Sequence, residues 1–251
     1  MEQTHRVALV TGATSGIGTE IARRLIADGL IVVVNGRSTE RGQAMVQELG
    51  TGAHFIQEDL TDAQGPDRLV AAALEVAGRL DVLVNNAAVD HTGPLLDVPM
   101  NEIRRTFVTN TFAAIACLQA AGRAMRDLGN GGAIINITSR LASIGVPTMS
   151  IYSASKGAML ALTTAAAVEL APYDIRVNAV APGMTRTPLY DEWLNSHPDP
   201  EATERRVANA IPLGRVASTA DVAAAVSYLA SPAAAYITGI SLPVDGGYLA
   251  Q

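Results

Sequence analysis

The sequence predicts a doubly wound α/β fold, a parallel sheet covered by helices on both faces, and three features carry that prediction. Seven short runs rich in β-branched residues alternate with longer stretches of helical periodicity. Within the runs nearly every residue is apolar, instead of every second one, as suits strands buried on both sides. A turn with three glycines separates the first run from the first helical stretch. Turns at strand ends are where open parallel sheets collect their ligands.

Taken in order, the strands are expected at Val7–Val10, Ile31–Val34, His54–Gln57, Val82–Val84, Ala133–Ile137, Arg176–Ala181 and Ser241–Val244. Helical patterns fill the intervals, among them a first helix from Thr19, a long one from about Asn101 to Leu128 and one from Tyr152 to Ala171. The stretch Val222–Val244 carries no charge over 23 residues, long enough to cross a membrane. Pro232, Gly239 and Pro243 interrupt it, and Ser227, Ser231, Thr238 and Ser241 dilute it, so a buried helix, a turn and a strand are expected instead. From Thr187 to about Ala210 the rhythm fails, because Pro188, Trp193, His197, Pro198 and Pro200 break up a mixed segment. That segment reads as an irregular insertion serving as a mobile substrate lid. No linker, repeat or low-complexity tract appears, so residues 1–251 read as one domain with a lid at about 187–210.

Composition narrows the function classes. Of 251 residues, 49% are hydrophobic and 17% charged, which supports a large core and opposes disorder. A net charge of −6 opposes nucleic-acid binding, which needs a basic surface to displace counterions from phosphates. Cys117 is the sole cysteine, so no intrachain disulfide can form, and it reads as a core residue. Met1–Arg6 is polar and the apolar run after it is too short for a signal segment, so a cytoplasmic location with no membrane partner is expected. No metal site is expected.

The glycine turn reads Thr11-Gly12-Ala13-Thr14-Ser15-Gly16-Ile17-Gly18. Glycines let backbone approach a pyrophosphate, and the N-terminus of the following helix offers free N–H groups and partial positive charge. A dinucleotide fits such a turn. The spacing Gly12-x3-Gly16-x-Gly18 differs from the general G-x-G-x-x-G fingerprint. It resembles the TGxxxGIG motif of the classical short-chain dehydrogenase/reductase family, and the resemblance implies a Rossmann fold, a nicotinamide dinucleotide and oxidoreductase chemistry. Gly12, Ser15, Gly16, Ile17 and Gly18 are then cofactor contacts.

Rossmann units that bind NAD place a carboxylate on the adenosine ribose about 20 positions after the glycines. Here the second strand ends Val34-Asn35-Gly36-Arg37-Ser38, with glycine in the acidic position and a cation next to it. A guanidinium forks onto a 2′-phosphate, so Arg37 and Ser38 favour NADP(H). NAD(H) stays open, since Ser15 stands where many NADP enzymes of the family carry a second basic residue. A plain solvated charge is the alternative for Arg37. Asp59 and Leu60 resemble the family's adenine contact, with an N-cap for the next helix as the alternative for Asp59. Asn85-Asn86-Ala87-Ala88 resembles the family's NNAG motif, which puts Asn86 and Ala87 on the cofactor. Ala88 replaces the usual glycine, a harmless change unless the position needs a positive φ.

Tyr152-Ser153-Ala154-Ser155-Lys156 opens a helical run, and i, i+4 spacing sets Tyr152 and Lys156 one turn apart on one face. An adjacent ammonium is expected to pull the phenol down toward neutral pH, so that Tyr152 exchanges a proton with a reacting oxygen. Ser139, 13 residues earlier, resembles the family serine that bonds the substrate carbonyl, and Asn110 the asparagine that holds a water and proton relay beside the lysine. Pro182-Gly183-Met184-Thr185-Arg186-Thr187 resembles the family's PG loop, making Pro182, Gly183, Thr185 and Thr187 cofactor contacts. The resemblance runs from Val7 to Gly247.

Residues 90–93, 140–150 and 184–210 are expected to line the substrate cavity, where His91 and Arg140 are anchor candidates or plain surface residues. The expected reaction interconverts a ketone and a secondary alcohol, first of all on an aliphatic, alicyclic or polyol-like small molecule. A 3-oxoacyl thioester is the second choice, and a steroid, aromatic polyketide, amino ketone or keto acid stays open. A nonenzymatic NADP sensor is the reading from another class, opposed by the presence of Asn110, Ser139, Tyr152 and Lys156 together. The helices Asn101–Leu128 and Tyr152–Ala171 resemble those that pair in the family's oligomers, so a homodimer or homotetramer is expected.

Overall fold

The computed structural model describes residues 5–251, so the polar reading of the first four residues lies outside it. Seven strands form one sheet: β1 Val7–Val10, β2 Ile31–Gly36, β3 Ala53–Gln57, β4 Val82–Asn85, β5 Gly132–Ile137, β6 Ile175–Pro182 and β7 Ser241–Val244. Their order is β3-β2-β1-β4-β5-β6-β7, and every neighbouring pair is parallel. Each expected strand is present, and the differences are confined to one or two residues at the ends.

Successive side chains point to opposite faces of a strand, and the sequence supplies apolar groups for both. On β1, Ala8 and Val10 pack with Val32, Val34, Val82, Val84 and Ile135 under α1 (Gly16–Ala27), α2 (Thr39–Leu49) and α9 (Thr219–Ala230). Val7 and Leu9 pack with Val33, Leu83 and Ile134 on the other face, under α3 (Gly65–Ala77), α5 (Ala113–Leu128) and α6 (Ser150–Leu170). Leu9, Leu83 and Ile134 are wholly buried, each worth about 1.5–3 kcal/mol in area removed from water. Cys117 lies in this second layer, where burial pushes its thiol up to about 12. It is a core residue.

Two local features depart from the sequence expectation, and a third follows it. The long helix is α4 (Met100–Phe107), a π turn at Val108–Phe112 and α5 in succession. The segment expected to be irregular forms two helices, α7 (Pro188–Asn195) and α8 (Pro200–Asn209). Pro188 and Pro200 begin these helices, in the first turn, where a missing N–H costs nothing. Thr187 and Asp199 cap them by accepting from Tyr190 N and Ala202 N. The uncharged stretch near the end resolves into α9, a short 3-10 turn and β7. Among the described residues no helix is long and apolar enough to cross a membrane, and no cluster of three His, Cys, Asp or Glu side chains could hold a metal ion.

Candidate active site

Strand order reverses between β1 and β4, so the loops after these two strands part and leave a crevice at their carboxyl ends. Thr11 joins the loops. Its N–H donates to Val84 O at 3.0 Å, and its hydroxyl accepts from Asn86 N at 3.0 Å and Ala87 N at 3.1 Å. Asn86 Nδ2 donates back to the Thr11 and Gly12 carbonyls. The backbones come so close that a Cβ on Gly12 would sit 2.7 Å from Ala87 Cα, and one on Gly18 would sit 2.5 Å from Asn86 Nδ2. Gly16, with φ +57, meets only the Thr187 side chain at 3.6 Å. Ala88 does not adopt a positive φ, so its replacement of glycine carries no strain.

Helix α1 starts at this crevice with an open N-terminus. Ser15 occupies its N-cap without a side-chain hydrogen bond, whereas Ser38, Thr187, Asp199 and Ser218 all cap their helices. The first-turn N–H groups at Gly16, Ile17 and Gly18 thus remain for an anion. Beyond them, Arg37 is exposed and makes no ion pair among the described residues, although its charge helps hold the Asp59 carboxyl low. Asp59 accepts from the N–H and hydroxyl of Thr61, an Asx turn in place of the N-cap considered above; α3 begins only at Gly65. Leu60 packs partly buried against the second core layer. Gly36 has a steric role: a Cβ there would lie 2.6 Å from Thr14 Cγ2, so an acidic residue at 36 would also displace Thr14.

The proposed chemical groups converge at the ends of β4 and β5. Lys156 is 3% exposed, and its Nζ donates to Ile137 O at 2.9 Å. It lies 5.7 Å from the centre of the Tyr152 ring. Burial lowers the ammonium to about 8. Burial, reinforced by the Asp90 charge and partly offset by the Ser139 hydroxyl, raises the Tyr152 phenol to about 12. This corrects the expectation that the lysine pulls the phenol down toward neutral pH. Desolvation is the leading cause at both groups. Ser139 also accepts from Leu141 N at 3.1 Å, which fixes its side chain.

Asn110 sits in the π turn, 1% exposed. Its Oδ1 accepts from Val89 N at 2.7 Å, and its Nδ2 donates to Val89 O and to Ser155 Oγ. Ser155 Oγ in turn donates to Tyr152 O. Asn110 therefore ties the loop after β4 to α6 instead of touching Lys156, and the π turn is what carries its amide to both; such turns concentrate at functional sites.

Comparison with known proteins agrees with this geometry. Residues 12–249 match the family model described as enoyl-(acyl carrier protein) reductase. The chain is 38% identical to the L-rhamnose 1-dehydrogenase (NAD(P)(+)) of Azotobacter vinelandii over 96% of both chains. It is 38% identical to the L-2,3-butanediol dehydrogenase of Corynebacterium glutamicum, over 97% of this chain and 98% of that one. The chain belongs to the short-chain dehydrogenase/reductase family. A crystal structure of a variant actinorhodin polyketide ketoreductase with NADPH superposes with a TM-score of 0.93 at 36% identity, covering 97% of each chain.

The family's nicotinamide dinucleotide fits the crevice on the evidence of the uncapped α1 and the close backbone approach at Gly12. At the other end of the crevice, β6 closes with Pro182, and Gly183 N donates to Val244 O. Thr185 Oγ1 donates to the Gly183 carbonyl, and Thr187 Oγ1 is engaged as the cap of α7. The Arg140 guanidinium stacks 4.0 Å over the Tyr248 ring. His91 lies near Glu102, with Nδ1 3.9 Å from the carboxylate and Nε2 buried without a partner. Sequence reasoning assigned no role to Thr11 or Ser155, and placed Asp90 only within a cavity-lining segment. The first was visible as the residue opening the glycine motif, whereas the other two matter only through contacts made across the fold.

Proposed function

We propose that this protein interconverts a secondary alcohol and its ketone with NADP(H) in preference to NAD(H), on a small aliphatic, alicyclic or polyol-like molecule. The reaction class comes with the family: the chain is an NAD(P)-dependent oxidoreductase acting between CH–OH and C=O groups. The observation that carries the reading at this site is the convergence of the Tyr152 phenol and the Ser139 hydroxyl above the buried Lys156, beside a glycine crevice.

The bound dinucleotide supplies or accepts the hydride. Gly12, Ser15, Gly16, Ile17 and Gly18 hold its pyrophosphate against the α1 N-terminus, and Asn86, Ala87, Asp59 and Leu60 flank the adenosine half. Arg37 and Ser38 receive the 2′-phosphate. Pro182, Gly183, Thr185 and Thr187 bound the nicotinamide end. In reduction, the Ser139 hydroxyl donates a hydrogen bond to the substrate oxygen and Tyr152 delivers its proton to the alkoxide as it forms. A phenol held at about 12 stays protonated at neutral pH, which suits the donor role. Lys156 is the charge that stabilises the phenolate left behind, and Asn110 keeps the loop after β4 registered on α6. Oxidation reverses each transfer.

The lid belongs to the same reading: α7 and α8 form a cover whose closure excludes water and completes the cavity. Arg186 supports this, since it bridges Asp191 on α7 and Glu204 on α8. A homodimer or homotetramer is supported by exposed apolar side chains on the outer helices, Phe112 at 58% and Val168 at 77% exposure. The cytoplasm is the proposed location. Steady-state assays over paired alcohols and ketones, with a 3-oxoacyl thioester included and both cofactors compared, test the whole. The expected result is turnover of secondary alcohols with NADP(+) favoured and at least about tenfold loss of NADPH affinity in Arg37→Ala, the size of one charge-assisted contact. Equal loss for NADH would remove the cofactor preference, and turnover confined to the thioester would replace the substrate class.

A further inference from the structure

Asp90 stands in the loop after β4, and that loop is docked onto the segment leading into α6. Gly93 N donates to Thr148 O at 2.9 Å, and Thr92 Oγ1 contacts Met149 Sδ at 3.3 Å. Tyr152 follows in the first turn of α6. The docking is specific enough to hold Thr148 at φ +67, one of two non-glycine residues with positive φ among those described. Such strain persists only where surrounding contacts over-determine the backbone. Two loops on either side of the candidate cavity are thereby fixed to each other, with Asp90 and Tyr152 at their ends.

The Asp90 side chain is exposed, and one carboxylate oxygen accepts from His91 N at 2.8 Å, which sets its rotamer. It has no ion-pair partner among the described residues. The remaining lone pairs are unclaimed, and a carboxylate can only accept. Its charge reaches Tyr152, where it contributes to holding the phenol up. A prepositioned acceptor on the loop docked against the segment that leads into Tyr152 favours a substrate with a donor near its reacting carbon, and repels one with a carboxylate there.

We propose that Asp90 is a specificity-determining residue that selects vicinal diols and related polyols by accepting a hydrogen bond from the hydroxyl next to the reacting carbinol. The inference rests on the alcohol dehydrogenase reading above and names what that reading leaves open. A carboxylate that bonds a hydroxyl discriminates against the analogue lacking it by the net worth of one hydrogen bond to a charged group. The plain apolar alcohol then binds poorly even though its reacting carbon is identical.

The test compares matched pairs in NADP(+)-dependent oxidation: butane-2,3-diol with butan-2-ol, and cyclohexane-1,2-diol with cyclohexanol, each stereoisomer separately. The wild-type protein should favour the diol in kcat/KM by about 10- to 100-fold. In Asp90→Ala that ratio should collapse toward unity, mostly through KM for the diol, and Asp90→Asn, which keeps an acceptor oxygen, should retain part of it. Asp97→Asn, an exposed carboxylate further along the same connection, should leave the ratio unchanged and so excludes a general charge effect. A diol-to-alcohol ratio near one in the wild type, or one unaltered in Asp90→Ala, overturns the assignment while the parent reading stands. Absence of turnover for every pair, and for the corresponding ketones with NADPH, overturns both.

Discussion

Replacing Lys156 by methionine separates what the residue does for chemistry from what it costs the fold. Methionine fills a similar space without charge, and Lys156 is almost fully buried with one hydrogen bond, to Ile137 O. An ammonium held at about 8 against an unfolded value near 10.4 penalises the folded state by about 3 kcal/mol at pH 7. The folded value is the lower one, so the penalty is complete below pH 8 and fades as pH rises toward the unfolded value. At pH 9.5 the same two values leave about 1 kcal/mol. Wild type should therefore gain about 2 kcal/mol on Lys156→Met between pH 7 and 9.5, close to 1 M in urea midpoint at an m-value of about 2–3 kcal/mol/M. At pH 7 the variant recovers the penalty but strips the Ile137 carbonyl of its partner, at about 1–3 kcal/mol, so its stability should equal or exceed that of wild type. Urea titrations at the two pH values and one protein concentration read both quantities, and turnover should fall by at least about 10³-fold. A variant less stable than wild type at pH 7, by a margin that does not move with pH, would refute the argument that burial dominates this lysine.

Three further outcomes follow from the same geometry. Tyr152→Phe should lose about 10²–10⁴-fold in turnover, the range for a positioned proton donor, with NADPH affinity by fluorescence titration nearly unchanged. Because the first proton lost by the Tyr152–Lys156 pair leaves near 8, kcat/KM for alcohol oxidation should rise with pH through that region and ketone reduction should fall; profiles without an inflection there would contradict the coupling. NADPH with a substrate analogue should slow hydrogen exchange across 187–210 beyond the effect of NADPH alone and alter the fluorescence of Trp193, which packs against Tyr190 and His197; unchanged exchange would remove the lid.

The strands were legible because their apolar runs are the direct imprint of a sheet buried on both faces: β1 and β7 begin and end where the sequence places them. The glycine turn was legible through its motif, even though the contacts that bar a side chain at Gly12 and Gly18 come from Ala87 and Asn86 in another loop. What escaped depends on groups distant in sequence. The π turn around Asn110 reflects bonds to Val89 and Ser155, 21 and 45 residues away, and no local propensity signals it. Pro188 and Pro200 argued for irregularity only because proline inside a helix and proline opening one look alike until the cap is known. The Tyr152–Lys156 electrostatics were misjudged because i, i+4 spacing gives proximity but says nothing of desolvation.

The three glycines of the first turn do unlike jobs, and that matters for how variation at this site is interpreted. Gly12 is excluded from holding a side chain by backbone atoms of Ala87, which cannot rotate aside, whereas Gly16 has room but an unusual φ beside the uncapped helix start. A library screened for cellular abundance should already be depleted at Gly12 and Gly18, before any cofactor is considered. The same library screened for activity should deplete Gly16 well beyond the smaller loss that its positive φ already imposes. Scoring only activity would merge two different failures under one label, and the difference between the screens would recover which glycines serve the joint between loops and which serve the nucleotide.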